Sequence, residues 1–235
     1  MLPTLNRRLL AAAAFVRQGS VLADVGTDHA YLPVYLISKG ISVRAIAADI
    51  NQGPIKRAEQ NIASAGLASA IETRLTDGLL GLDRLGITDI AICGMGGELI
   101  SKILEDAPFT ASRDIRLILQ PMTKADLLRS WLLSHGYEIV DESIVRDDRI
   151  YQVICAEYSG INTEYSPIEL LLGRHNINGN SALLCELAGN TLAAMTTKRN
   201  GRSSAGLSTE EEDRIILELS KILKNRTKNP KGLEI

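Results

Sequence analysis

Aspartates recur at comparable places along the first half of the chain. Asp24 and Asp28 lie in Asp24-Val25-Gly26-Thr27-Asp28-His29-Ala30, Asp49 in Ala48-Asp49-Ile50, and Asp77 in Thr76-Asp77-Gly78. Each cluster follows an apolar, strand-like run. Carboxylates so placed can cap a turn, accept hydrogen bonds from hydroxyl or amino groups, or attract a cation. Asp49 follows Asp24 by about 25 positions, near the spacing at which a strand-end carboxylate accepts both hydroxyls of a ribose. Asp77 beside Gly78 suits an adenine amino group, and a plain Asp-Gly turn explains that dipeptide nearly as well. In Cys93-Gly94-Met95-Gly96-Gly97 the three glycines imply close backbone approach, most simply to a ligand. Gln120-Pro121-Met122 brings a planar amide and a rigid turn to the expected substrate side.

A G-x-G-x-x-G dinucleotide fingerprint starting at Gly26 would need glycine at 28, where this chain has aspartate. Asp28 would oppose a pyrophosphate by about 1 to 4 kcal/mol at roughly 4 Å, depending on the local dielectric. A cofactor with positive charge and no phosphate is favoured instead. S-adenosylmethionine, with an ammonium and a sulfonium, is such a molecule. Turn capping accounts for one of Asp24 and Asp28 but not for the whole cluster. Asp24, Gly26, Thr27, Asp28, His29, Asp49, Ile50, Asp77, Gly78, Gly94, Met95 and Gly96 are therefore expected to hold the cofactor.

The elements that position these residues follow from periodicity. Strands are expected at Val21–Val25, Val43–Ile50, Ile71–Thr76, Asp89–Cys93 and Ile115–Leu119, alternating with helices. One helix spans 52–65, with Ile55, Ala58, Ile62 and Ala65 as its buried stripe. Another is capped by Thr123, carries Leu127, Leu128, Trp131 and Leu132, and closes at Gly136. This alternation implies a parallel α/β sheet with helices on both faces, in which ligands bind at the carboxyl ends of the strands. Tyr137–Val145 and Tyr151–Glu157 are separated by too few residues for a parallel crossover, so they must form an antiparallel hairpin. After Gly160 the pattern changes. Residues 176–180 and 200–206 read as loops between helices over 182–198 and from Ser208 or Thr209 onward, with fraying expected after Arg226. The division expected is 1–159 for the sheet domain with its N-terminal helix and 160–235 for a helical hairpin extension. Leu5, Leu9, Ala12 and Val16 have helical spacing, which favours that N-terminal helix over a signal peptide.

The chain has 235 residues, 45% hydrophobic and 23% charged, with net charge −2. It can bury a full core, is too apolar for disorder, and has no apolar run of about 18 residues to cross a membrane. Three distant cysteines argue for reduced thiols in a cytoplasm, and no histidine–carboxylate set has metal-ligand spacing. A near-neutral chain can meet nucleic acid only through local patches. Arg7, Arg8 and Arg17 form one candidate, and Lys198, Arg199 and Arg202 another; a solvated charged surface explains either equally well.

Val21-Leu-Ala-Asp-Val-Gly-Thr-Asp-His-Ala-Tyr-Leu-Pro33, Gly94-Met-Gly-Gly97 and Leu117-Ile-Leu-Gln-Pro121 together resemble the bacterial tRNA (adenine-22-N1)-methyltransferases, over about residues 5 to 158. The resemblance implies a Rossmann-like class I methyltransferase sheet, S-adenosylmethionine as donor, tRNA as acceptor, and a coiled-coil-like C-terminal extension. N1 of neutral adenine has an in-plane lone pair, so no strong base is needed; the product ring is cationic, and a nearby carboxylate would stabilise it. Asp28 is the first candidate for that role and His29 the second, with Gln120 and Pro121 on the substrate side. Tyr31 suits base stacking or core packing equally. Other acceptors, a non-catalytic binding module, and an NAD enzyme (disfavoured by Asp28) remain the competing readings.

Overall fold

The strand runs are apolar on both faces because helices cover both sides of the sheet they build. In the computed structural model, which describes residues 4–179 and 181–228, the chain divides into two compact units, residues 1–164 and 165–235. The first opens with α1 (Arg7–Ala13), capped by the Asn6 side chain accepting from Leu9 N at 2.9 Å. There follow β1 (Ser20–Val25), α2 (Tyr31–Ser38), β2 (Ser42–Asp49), α3 (Gln52–Ser64) and β3 (Ile71–Leu75). Then come β4 (Asp89–Gly96), α4 (Gly97–Glu105), β5 (Arg116–Thr123), α5 (Ala125–Ser134), β6 (Tyr137–Arg146) and β7 (Ile150–Tyr158). The seven strands lie in the order β3-β2-β1-β4-β5-β7-β6, all parallel neighbours except β7, which is antiparallel to both β5 and β6. Strand order reverses between β1 and β4, so their carboxyl ends flank the natural ligand crevice.

α3 buries Ile55, Ala58 and Ile62 on the expected stripe. α5 departs from its pattern: Leu127 is 43% exposed, while Arg129 is completely buried beside Leu128 and Leu132. Thr123 does not cap α5. It is the last residue of β5, and Lys124 occupies the N-cap with φ 58° and no side-chain cap bond. That tight turn explains Gly97, because a Cβ there would lie 2.2 Å from the Lys124 carbonyl oxygen. The close approach inferred from the glycine run is, at this position, backbone against backbone rather than against a ligand.

Residues 159–163 belong to the first unit, which ends at 164 rather than 159. Ser159 N and Gly160 N donate to Gly136 O, each at 2.9 Å, and Thr163 N donates to Leu133 O at 3.2 Å.

The second unit contains α6 (Pro167–Leu172), α7 (Arg174–Asn178), α8 (Leu184–Ser204) and α9 (Glu210–Lys228). α6 opens with a capping box formed by Ser166 and Glu169. Two stretches expected to be loops are largely helical. Residues 174–178 form α7, where Asn176 Nδ2 donates to Leu172 O at 2.9 Å. α8 runs on to Ser204 and stops only at Gly206, φ 70°. Tertiary pairing overrides the weak helix propensity of Asn200-Gly201: Lys198 and Arg202 meet Glu212 at 3.0 and 3.3 Å, and Arg199 meets Asp213 at 3.0 Å. Arg226 Nη2 donates to Ile177 O and Gly179 O, each at 2.7 Å, which brings the far end of α9 back to the start of the unit. The fraying expected after Arg226 falls mainly on residues 229–235, outside the described residues.

Candidate active site

The carboxyl ends of β1 and β2 and the following turns form one continuous wall. After Asp24 and Val25 the chain turns at Gly26 (φ 76°), and Gly26 N and Thr27 N both donate to Ala48 O, at 2.9 and 3.0 Å. Asp28 (φ 44°) and Ala30 (φ 55°) are then held in the left-handed region, a costly conformation for non-glycine residues. α3 holds this turn: Arg57 Nη2 lies 2.5 Å from Asp28 Oδ1, and Asn61 Nδ2 donates to His29 O at 2.9 Å. Arg57 and Asn61 are one helical turn apart and were absent from the sequence-based site. Their spacing, downstream of Asp49, was the available signal.

Two cavities open along this wall and meet at Gly26. The larger, about 410 Å³, is lined by Asn6, Arg8, Leu9, Asp24, Gly26, Thr27, Asp28, His29, Tyr31, Leu32, Cys93, Gly94 and Met122. The smaller, about 240 Å³, is lined by Val25, Gly26, Asp49, Ile50, Asn51, Thr76, Asp77, Gly78, Met95, Leu99 and Ile103. Met95 stands at the junction, where a Cβ on Gly26 would meet its Cε at 2.2 Å. Ile50 and Leu99 are more than half exposed there, 60% and 51%, leaving apolar surface for a flat ring.

Asp24 is 5% exposed and accepts from the Thr27 hydroxyl at 2.6 Å. Burial pushes its carboxyl up to about 6; the Thr27 hydrogen bond opposes that shift, and the charge of Asp49 adds to it. Asp49 is also buried, with Oδ1 accepting from Asn51 N at 2.8 Å. Burial first, and then Asp24, push the Cys93 thiol upward, which favours its protonated form. The rings of His29 and Tyr31 stack at 5.0 Å with 10° between planes, and Tyr31 is 40% exposed.

Of the residues placed by sequence on the substrate side, Gln120 and Pro121 are buried and do not line either cavity. Gln120 Oε1 accepts from Arg8 Nη1 at 2.9 Å and from Gly94 N at 3.1 Å, while its Nε2 donates to Pro121 O at 2.9 Å. Its amide is thus bonded within the protein, and Met122 is the member of that turn that lines the larger cavity. Gly96 does not line either cavity; the other expected cofactor residues do.

The three arginines of the first expected basic patch have different surroundings. Arg7 is exposed, whereas Arg8 turns into the larger cavity. Arg17 is bound to Asp89, the first residue of β4 and so at the opposite end of the strand from the crevice, with Nε to Oδ1 at 2.9 Å. Lys198, Arg199 and Arg202 are engaged by Glu212 and Asp213 within the second unit. Among the described residues no group of three or more His, Cys, Asp or Glu side chains could hold a metal ion.

Residues 5–154 match the family model described as a methyltransferase domain. The chain is 38% identical over 170 residues to the tRNA (adenine(22)-N(1))-methyltransferase of Bacillus subtilis, spanning 72% of this chain and 71% of that protein. The crystal structure of the B. subtilis m1A22 tRNA methyltransferase superposes with a TM-score of 0.79 at 32% identity, covering 95% of this chain and 97% of that one. The M. capricolum relative, solved with the cofactor product S-adenosyl-homocysteine, gives 0.73 at 27% identity with full coverage of both chains. With a family model spanning more than half its length and a curated relative matched over more than two thirds of its own, the chain belongs to the bacterial tRNA (adenine-22-N1)-methyltransferase family.

Proposed function

We propose that the protein transfers a methyl group from S-adenosylmethionine to N1 of adenine 22 in tRNA. The observation that carries this reading is the pair of cavities meeting at Gly26. Carboxylates sit in both, and Asp28 stands where a phosphate-binding loop would need glycine. The residues fit the donor: Asp49 and Asp77, with Ile50 and Leu99, suit the adenosine half, and buried Asp24 suits the ammonium. The donor, when bound, supplies a methyl group made electrophilic by the sulfonium.

The protein's part is positioning and electrostatics. The stacked His29 and Tyr31 rings offer a flat surface on the acceptor side of the larger cavity. Asp28 is the carboxylate placed to stabilise the ring as it becomes cationic, and Arg57 fixes its orientation. Because N1 attacks with its own lone pair, no side chain has to remove a proton first. tRNA as acceptor also places the reaction in the cytoplasm.

Donor binding should weaken in mild acid. With Asp24 near 6, its ionised fraction falls from about 90% at pH 7 to about 10% at pH 5, so affinity should drop roughly tenfold over that interval. Calorimetry at a series of pH values checks this, and a flat profile removes Asp24 from the ammonium site. The function itself is tested by mapping methylated nucleosides in tRNA treated with purified protein. N1-methyladenosine at position 22, lost when that base is replaced by guanine, is the expected result; no methylation of tRNA, or methylation elsewhere, would overturn the assignment.

A further inference from the structure

We propose that Arg149, in the turn joining β6 and β7, and Lys124, in the turn between β5 and α5, form a two-point phosphate contact that holds the acceptor RNA at the mouth of the larger cavity. The inference rests on the reading of the protein as a tRNA methyltransferase and names the surface that meets the strand. Asp24 and Asp28 line that cavity, and their charge opposes the approach of a polyanion. Cations at the rim offset that repulsion.

The topology brings the two residues to one edge. β7 is antiparallel to β5, with Arg116 opposite Glu157 and Leu119 opposite Ile154. The start of β7 therefore lies toward the carboxyl end of β5, the edge on which the cavity opens. The same register carried forward sets Met122 level with Tyr151, and Lys124 level with Arg149. Arg8 supports that extension, because it touches both members of the first pair. Its Nη1 contacts Met122 Sδ at 3.0 Å, and its guanidinium carbon lies 5.2 Å from the centre of the Tyr151 ring. Arg8 and Met122 line the cavity, so Lys124 and Arg149 fall one step beyond its wall.

Both charges are held in place without being neutralised. Arg149 is exposed, and its guanidinium carbon lies 5.0 Å from the centre of the Tyr151 ring. Asp148 is the neighbouring carboxylate, yet its Oδ1 accepts from the Tyr151 hydroxyl at 2.7 Å. That bond holds the Asp148 carboxyl below its ordinary range, and the charge of Arg149 contributes least to the lowering. Tyr151 is thus the positioning residue: its ring supports the guanidinium while its hydroxyl diverts the competing carboxylate. Lys124 is exposed as well, on a backbone that packs against Gly97. Among the described residues neither Lys124 nor Arg149 is ion-paired with a carboxylate, whereas Arg17, Arg57, Arg116 and Arg129 each are. Asp147, in the same turn, limits the surface to isolated phosphate contacts rather than a broad basic face.

The test measures binding of an unmodified tRNA transcript to the full chain by fluorescence anisotropy at several salt concentrations, with S-adenosylmethionine binding followed by calorimetry. Lys124→Gln combined with Arg149→Gln should weaken tRNA roughly tenfold and leave donor affinity within about twofold. The slope of log K against log salt should become shallower by about 0.7 to 0.9 for each lost contact. Lys39→Gln is the control: Lys39 also lies over a tyrosine, 6.0 Å from the centre of Tyr35, but at the far end of α2, and its loss should change neither quantity. Tyr151→Phe keeps every charge and releases Asp148, so it should weaken tRNA roughly threefold, the scale of an exposed ion pair. Adding Asp148→Asn to it should restore the affinity, which a merely structural role for the tyrosine would not allow. An unchanged salt slope in the double variant overturns the proposal, whatever the affinity does. Equal losses for tRNA and donor overturn it too, because the pair would then only support the cavity. The two readings fail separately: tRNA binding with methylation at another base would sink the assignment of adenine 22 and leave the phosphate contact standing, whereas an unaltered protein that bound no tRNA would end both.

Discussion

Arg129→Met is expected to lower the unfolding free energy of the sheet unit by about 3–5 kcal/mol, the cost of leaving a buried charge without its partner. Arg129 projects from α5 and is completely buried. Its Nε donates to Glu142 Oε1 on β6 and its Nη2 to Gln152 Oε1 on β7, each at 2.7 Å. One guanidinium thus joins a helix to both strands of the antiparallel hairpin. Methionine fills much of the same volume, so the loss would come from the stranded Glu142 carboxylate rather than from a cavity. Replacing both members, Arg129→Met with Glu142→Met, should restore most of the stability, since apolar residues often substitute for a buried pair at little cost. Urea denaturation, in which added salt does not confuse the comparison, measures both variants. A single-variant loss below about 1 kcal/mol would show that water reaches the pair.

Asp49→Ala should raise the dissociation constant for S-adenosylmethionine roughly 10- to 100-fold, from loss of charged hydrogen bonds to the ribose. Asp49 ends β2, is buried in the wall of the smaller cavity, and is fixed by the Asn51 amide at 2.8 Å. 5′-Methylthioadenosine contains the same ribose and should lose affinity by a similar factor. Native affinity of the Asp49 variant for either molecule would refute the ribose assignment.

The parallel sheet, its closing hairpin and most of the crevice could be read along the chain because the signals are local. Apolar runs mark strands covered on both faces, and helical spacing placed Ile55, Ala58 and Ile62 on one stripe. A gap of a few residues between β6 and β7 admits only an antiparallel return. Parallel strands deliver their carboxyl ends to one edge, so Asp24, Asp49 and Asp77 had to converge there once the fold was α/β. The second unit was less readable: propensity alone placed loops at 176–180 and 200–206, whereas 174–178 form α7 and ion pairs between α8 and α9 accompany the helix that runs on to Ser204.

Composition and spacing were sufficient for the architecture and for an acidic crevice at its strand ends, since both follow from the order of neighbouring residues. The partner of each charge was settled by folding. Arg8 and Gln120 are 112 positions apart, Arg57 and Asp28 are 29, and Arg17 and Asp89 are 72. Three arginines that look alike on the N-terminal segment thus have three fates: exposed Arg7, cavity-lining Arg8, and Arg17 tied to the opposite end of β4. A charge acts across space over a few ångströms, and only the folded chain determines which residues come within that distance.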